Sequence, residues 1–383
     1  MKVLHVTPYY LPARRYGGPV QTVHGLCTNL AKRGHEIHVF TTNVNGRSDS
    51  RVPLGTPVDL EGVKIWYFRS NLMRFLYFSP SLGKALFDQV KSYDLIHVHS
   101  IYVWPTWIAT RIAQRYKIPY LISPRGMLVK GLIQRKNRFL KTLWIKLIER
   151  HHLENASAIH MTSELEAREA KKFNFNLPRI FVVPNGVEEG ISSHPILKKI
   201  SPVPLLLYLG RIASKKGLDR LIPALAYVPE AQLVITGNDE ENYSPYLEKL
   251  ARAHQVRDRI TFTGPLYGEE KIALLKGATV FVLPSYSENF GVSVLEAMAV
   301  GCPVVVTPEV GLAEIVKKSG AGRVVNGDAK TLGESLRDLL KDPVSLKKMG
   351  EAGRKVVLDQ FRWDAIAKQM EDVYQDLLAH HKF

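Results

Sequence analysis

The sequence predicts an α/β chain built as two doubly wound domains, and three observations carry that prediction. Short runs rich in Val, Ile and Leu alternate with longer stretches of helical periodicity along the whole chain. These runs are apolar throughout instead of alternating, as strands covered on both faces by crossover helices must be. A Pro-rich break at 193–204, with Pro195, Pro202 and Pro204, divides the series into two similar halves.

Taken in order, the expected strands of the first half are 2–7, 36–41, 63–68, 94–98, 119–122, 157–161 and 179–183. Those of the second half are 205–209, 232–236, 259–263, 279–283, 303–306 and 322–325. Each pair is separated by enough chain for a right-handed helical crossover, which implies parallel sheets. The domains are therefore expected at 1–190 and 204–362, with an amphipathic helix at about 363–383 that packs back onto the first domain. Ligands of such sheets bind at the carboxyl ends of the strands, and a cleft between two such domains suits a two-substrate reaction.

The composition of the 383 residues, 45% hydrophobic and 23% charged, is that of a globular protein and excludes disordered and collagen-like classes. Cys27 and Cys302 are too few for a disulfide framework or a four-ligand zinc site, which points to a reducing compartment. Lys2 to Thr7 reads as a strand, not as a secretory leader, and no apolar run reaches membrane-spanning length. The expected location is the cytoplasm, peripheral to the inner face of the cell membrane.

Positive charge is concentrated in the first half. Residues 1–190 hold 27 Lys+Arg against 13 Asp+Glu, whereas residues 191–383 hold 25 against 23. Such asymmetry calls for an anionic partner. Residues 64–78 interleave aromatics with Arg69 and Arg74. Residues 128–150 place Lys130, Arg135, Lys136, Arg138 and Lys141 beside an apolar face with Leu140 and Trp144, the pattern of a helix lying on an anionic membrane. Nucleic acid is not expected as a partner: zinc-finger spacing, an RNA-recognition consensus and basic-region heptads are all missing from the sequence.

Two constellations carry chemistry. Gly210-Arg211-Ile212-Ala213-Ser214-Lys215-Lys216-Gly217 follows a strand and precedes a helix at Leu218. Backbone N–H groups at such a junction favour an anion, and Arg211 and Lys216 supply cations suited to a diphosphate. The second, from Leu283 through Ala299, is a strand end, a turn and a helix opened by Gly291. It would present the N–H groups of Phe290, Gly291 and Val292, with Glu288 and Glu296 placed to accept hydrogen bonds from a polyol.

In this order and spacing the chain resembles the retaining, nucleotide-sugar-dependent glycosyltransferases of family 4, which have the GT-B fold. The resemblance extends over Gly17-Gly18, Asp94-Leu95-Ile96-His97-Val98-His99, Val183-Pro184-Asn185-Gly186-Val187, Gly210-Arg211 with Lys216-Gly217, Phe262-Thr263-Gly264, Glu288-x7-Glu296 and Trp363-Asp364. It implies two Rossmann-like domains facing each other across a cleft, the first on the acceptor side and the second binding the nucleotide-sugar. Arg211 and Lys216 would bind the donor diphosphate beside Gly210, and Glu296 would hold the ribose. Glu288, with Asn289, Phe290, Gly291 and Val292, would contact the transferred sugar. Gly237 and Leu266 would line the base pocket, His99 would lie near the anomeric carbon, and Gly17 and Gly18 would close over the phosphate. His97 is read as structural.

Many relatives carry a His after the strand at 119–122, where this chain has Ser123-Pro124-Arg125-Gly126. Arg125 is accordingly expected beside the acceptor, unless it lies in an ordinary surface turn. The expected function is a metal-independent, retaining hexosyltransferase, with no cofactor and a UDP-sugar as donor. Its acceptor would be a glycan or lipid-linked glycan in cell-surface polysaccharide assembly. A nucleotide-sugar epimerase on the same fold and a non-enzymatic binder of anionic surfaces or nucleic acid are the alternatives.

Overall fold

A computed structural model describes residues 1–129, 144–188 and 203–380. The chain divides into two compact units. One is Met1–Gly186 together with the helix Trp363–His380, and the other is Val187–Arg362.

The first unit is built on one sheet. Its strands are β1 (Lys2–Val6), β2 (Glu36–Thr42), β5 (Pro57–Leu60), β6 (Val63–Phe68), β7 (Leu95–His99), β8 (Tyr120–Ser123), β9 (Ala158–Met161) and β10 (Ile180–Val182), after a small hairpin of β3 (Val44–Asn45) and β4 (Ser48–Asp49) is set aside. The order is β10-β9-β8-β7-β1-β2-β6-β5, parallel except for β5, which returns antiparallel to β6. Every strand expected from the sequence of this half is present, with ends shifted by a residue or so. The β3–β4 hairpin and β5 were not expected. Glu61 and Gly62 both take positive φ (55° and 82°) in the two-residue turn from β5 to β6, which matches the twist of the flanking strands.

Two apolar layers cover this sheet. One joins Leu4, Val6, Ile96, Val98 and Ile122 to Leu82, Leu86 and Ala109 of the crossover helices. The other joins Val3, Ile37, Val39 and Leu121 to the helix Gly18–Lys32 and to Ile366, Met370 and Tyr374 of the C-terminal helix. Glu371 fastens that last helix, accepting from Arg33 Nε at 2.8 Å and His35 Nε2 at 3.0 Å. The Trp363 indole lies against Gly25 and Gly186, where a Cβ on either glycine would run into it.

The second unit contains β11 (Leu205–Leu209), β12 (Gln232–Thr236), β13 (Ile260–Gly264), β14 (Val280–Leu283), β15 (Val304–Val306) and β16 (Gly322–Val324). All pair in parallel, in the order β13-β12-β11-β14-β15-β16. The strand order reverses between β11 and β14, and the crevice beyond the carboxyl ends at such a switch point is where ligands bind in doubly wound sheets. Both constellations singled out in this half leave the sheet there.

Most of the basic stretch 128–150 lies outside the described residues. Trp144, at its end, donates Nε1–H to buried Glu149 at 2.9 Å. Among the described residues no helix is long and apolar enough to cross a membrane.

Gly186→Ala is expected to overpack the Trp363 seat and to lower stability by about 1–3 kcal/mol. Thermal and urea unfolding followed by tryptophan fluorescence check this, and an unchanged midpoint would show that the indole can move aside.

Candidate active site

The loop after β11 is shaped by close backbone approaches. Gly210 N–H donates to Thr236 O at 3.0 Å, and a Cβ on Gly237 would fall on the Gly210 carbonyl. At the loop's far end Gly217 has φ 73°, and a Cβ there would strike the Pro284 carbonyl in the loop after β14. Tyr286 N–H donates to Lys215 O at 2.9 Å across the same junction. Only glycine permits this contact between the two loops. A side chain at 217 would push them apart.

The contact brings charges together. Lys216 Nζ pairs with Glu288, both side chains largely buried. Arg211 reaches Glu240 of the loop after β12, Nη1 to Oε2, at 3.3 Å. Burial lowers the Lys215 ammonium, and repulsion from Lys216 and Arg211 lowers it further, so the three cations share one locality. Burial pushes the Glu288 carboxyl up, but Lys216, then Lys215 and Arg211, outweigh it and hold the group below its ordinary range. Three cations and the Glu288 carboxylate therefore meet at the switch point, with Glu240 on Arg211 and Glu241 beside Lys215. The buried Tyr208 hydroxyl donates to Arg211 O at 2.7 Å and fixes the turn.

Glu296 lies on the helix Val292–Ala299 and is buried, with Oε1 accepting from Lys271 Nζ at 2.8 Å. Burial pushes its carboxyl up, against the pull of Lys271. Gly291, at φ 101°, starts that helix, and Val310 packs where its Cβ would be. The segment before it is strapped down by Gly311 N–H to Glu288 O at 2.9 Å and Leu312 N–H to Phe290 O at 3.0 Å. The amides of Phe290, Gly291 and Val292 meet no acceptor among the described residues. The Phe290 ring is buried towards Phe361, so only its backbone can serve a ligand. Leu266 is half-buried in the loop before the helix Gly268–Gly277.

In the first unit His99 ends β7 and is 1% exposed. Its Nδ1 lies 3.2 Å from Arg125 Nη2 and its Nε2 lies 2.9 Å from His5 Nδ1. A guanidinium only donates, so His99 Nδ1 accepts and its proton sits on Nε2, which donates to His5. His97 is bound at both nitrogens, to Tyr374 Oη at 2.6 Å and Ser123 Oγ at 2.7 Å, and is structural. Burial, with Arg125 as the next cause, pushes His5 and His160 down to about 3 and His99 well below its ordinary value.

His5, His97 and His99 are the only group among the described residues whose ligand atoms cluster within 4.8 Å as for a metal. Their nitrogens are committed to hydrogen bonds, His5 Nε2 excepted, and the Arg125 charge stands beside them, so these residues fit a cation poorly. Arg125 is not in an ordinary surface turn. Its guanidinium points inward to His99 and to Asn185 Oδ1 at 2.9 Å, with Nε buried. Gly17 takes φ 70° and leads into the helix Gly18–Lys32, so Gly17-Gly18 is the start of a helix.

The sequence reading had not singled out Lys215, Lys271, Glu240 or His5. Only the doubled Lys215-Lys216 gave any local sign.

Two doubly wound units, with cations and a helix start at the switch point of the second, give the layout of a two-domain α/β enzyme with an anion-favouring crevice in its second unit. Residues 17–186 match the family described as a glycosyl transferase 4-like domain, and residues 192–356 match glycosyl transferases group 1. An uncharacterised glycosyltransferase of Methanocaldococcus jannaschii is 28% identical over 98% of each chain. The solved sucrose-phosphate synthase of Thermosynechococcus elongatus superposes with TM-score 0.79 at 24% identity, over 99% of each chain. Anabaena HepE in complex with UDP-glucose superposes with TM-score 0.75 at 16% identity, over 98% of this chain and 100% of that one. The chain belongs to the family-4 type glycosyltransferases and has their GT-B fold.

Glu288→Gln is expected to destabilise the second unit by about 1–3 kcal/mol at neutral pH, because Lys216 loses its charged partner inside a cationic cluster. The wild-type carboxyl titrates below its unfolded value, so the pair's contribution is complete above the ordinary carboxylate range and is lost as pH falls through the lowered value. Melting curves from pH 7 downward should therefore converge for the two proteins. A gap that stays constant into acid would contradict the assignment.

Proposed function

We propose that this chain is a retaining, metal-independent hexosyltransferase that draws its sugar from a nucleotide-diphosphate donor, a UDP-sugar before others. Its acceptor in this reading is a glycan or lipid-linked glycan, taken up at the inner face of the cell membrane for cell-surface polysaccharide assembly. The observation that carries the reading is the meeting of Arg211, Lys215 and Lys216 with Glu288 at the switch point of the second unit. Fixed cations placed there do for a leaving diphosphate what a bridging metal does elsewhere. UDP is preferred because it accompanies the Anabaena neighbour, and the acceptor class rests on the basic first half.

In this reading Arg211 and Lys216, with Lys215 beside them, grip the diphosphate against Gly210. Lys216 is held by Glu288 until the donor arrives and is then shared with it. Glu296 keeps Oε1 on Lys271 and offers its other oxygen to the ribose hydroxyls. Glu288, Asn289 and the free amides of Phe290, Gly291 and Val292 hold the transferred sugar. The base lies along Gly237 and Leu266. On the acceptor side, Gly17 and Gly18 begin a helix whose dipole favours an anion. Arg125 sets the protonation of His99, so the expected part of His99 near the anomeric carbon is reached through Arg125 and not by its own ring nitrogens, both of which are engaged.

The bond from the anomeric carbon to the diphosphate oxygen breaks, and its electron pair stays on the diphosphate. The acceptor oxygen then bonds to that carbon on the same face, and its proton passes to the departing oxygen. The cations stabilise the charge that develops, so no protein nucleophile is needed.

A thermal-shift series with UDP, GDP and ADP tests the donor assignment. Saturation at about a hundred times Kd corresponds to about 2.7 kcal/mol of added stability. UDP should raise Tm by several degrees, and Arg211→Ala should abolish the rise. Equal indifference to all three nucleotides would overturn the proposal. Product analysis with donor alone separates a transferase from an epimerase, since an epimerase converts the donor without an acceptor.

A further inference from the structure

The sequence reading marked residues 64–78 for their mixture of aromatics and arginines, and the proposed reaction leaves their tip unused. Val63–Phe68 is β6, with Tyr67 and Phe68 buried. Beyond it the loop 70–77 turns apolar side chains outward: Leu72 is 70% exposed, Met73 49% and Phe75 77%. The other exposed large apolar side chains among the described residues do not gather within one short loop in this way.

This loop is braced, not slack. Arg74 turns inward, with Nη1 donating to Asp49 Oδ1 at 2.6 Å and Ser70 O at 3.0 Å, and Nη2 to Ser48 O at 2.7 Å. Met73 and Tyr77 bracket the turn Arg74–Leu76 in left-handed conformations, φ 45° and 57°. Tyr77 lies beside Tyr9, which stacks on Tyr16 at 4.0 Å, and the Tyr16 hydroxyl accepts from Gly46 N–H at 2.8 Å. Loop and β3–β4 hairpin are thereby fixed as one body to the segment just ahead of Gly17. Arginine that could have carried charge on the tip is spent on holding its shape.

The surroundings are cationic. Arg47 at the hairpin turn, Arg51 and Arg69 are all exposed, and the Asp49 carboxylate is neutralised by Arg74. Two protruding apolar side chains, with exposed arginines on the flanking segments, give the paired signals, insertion and charge, that anchoring to an anionic bilayer requires.

We propose that the loop 70–77 inserts Leu72 and Phe75 into an anionic lipid surface, with Arg47, Arg51 and Arg69 on the headgroups. The inference rests on the membrane-side reading of the acceptor and adds the residues that make the contact. It also seats the lipid surface next to Gly17-Gly18, where a lipid-linked acceptor would be delivered.

Vesicle co-sedimentation of the full chain tests it, with phosphatidylcholine alone against phosphatidylcholine mixed with phosphatidylglycerol. The wild type should bind only the mixed vesicles. Leu72→Ser with Phe75→Ser should weaken that binding at least about tenfold, with Tm and stabilisation by UDP unchanged. Arg47→Gln with Arg69→Gln should abolish the preference for phosphatidylglycerol. Indifference of the wild type to the mixed vesicles, undiminished binding by the serine variant, or a preference for single-stranded RNA over vesicles would each overturn the proposal. UDP stabilisation without vesicle binding would sink the docking surface alone, and vesicle binding through the loop without UDP stabilisation would sink the donor reading alone.

Discussion

The second unit depends on a steric concession at Gly217. Because that residue has no side chain, the loop after β11 can rest on the Pro284 carbonyl of the loop after β14, and two segments about seventy residues apart become one wall. The Lys216–Glu288 pair closes the same junction electrostatically. Each contact makes the other affordable: the backbone approach removes water from the pair, and the pair offsets the repulsion among three neighbouring cations. A site assembled this way is already polarised before a ligand arrives, which is the condition for electrostatic catalysis without reorganisation.

The first unit is organised on an opposite principle. Its polar centre consists of neutral imidazoles, kept neutral by burial and by the Arg125 guanidinium. Arg125 orders their protons by donating to one nitrogen of His99, which sets the tautomer of His5 in turn. The C-terminal helix belongs to this arrangement, since Tyr374 holds His97 and Trp363 fills the space left by Gly25 and Gly186. A fixed positive charge thus occurs in both units, paired with a carboxylate in the second and set among neutral imidazoles in the first.

The sheets were legible because buried parallel strands must be apolar on both faces, and such runs stand out in this chain. The loop after β11 was legible for a local reason, since its two glycines, its cations and the following helix lie within nine residues of sequence. What escaped notice lies at edges or depends on distant contacts. Strand β5 begins at Pro57 and is half exposed, so it lacks an apolar run. The β3–β4 hairpin carried a readable sign, Gly46 at the first position of its two-residue turn Gly46-Arg47 (φ 66°), that its shortness concealed. Lys271 meets Glu296 from a different helix, and His5 meets His99 from a different strand, which no spacing along the chain reveals. Arg125 looks like a turn residue because its neighbours are Pro and Gly, yet its side chain runs inward.

In the proposed reading the second unit recognises a diphosphate through fixed cations. Isothermal titration with uridine, UMP and UDP at a single ionic strength measures this most directly. Stepwise tightening as phosphates are added, flattened by Lys216→Met, is the predicted result. Equal affinity for all three ligands, or a phosphate dependence that Lys216→Met leaves intact, would contradict it.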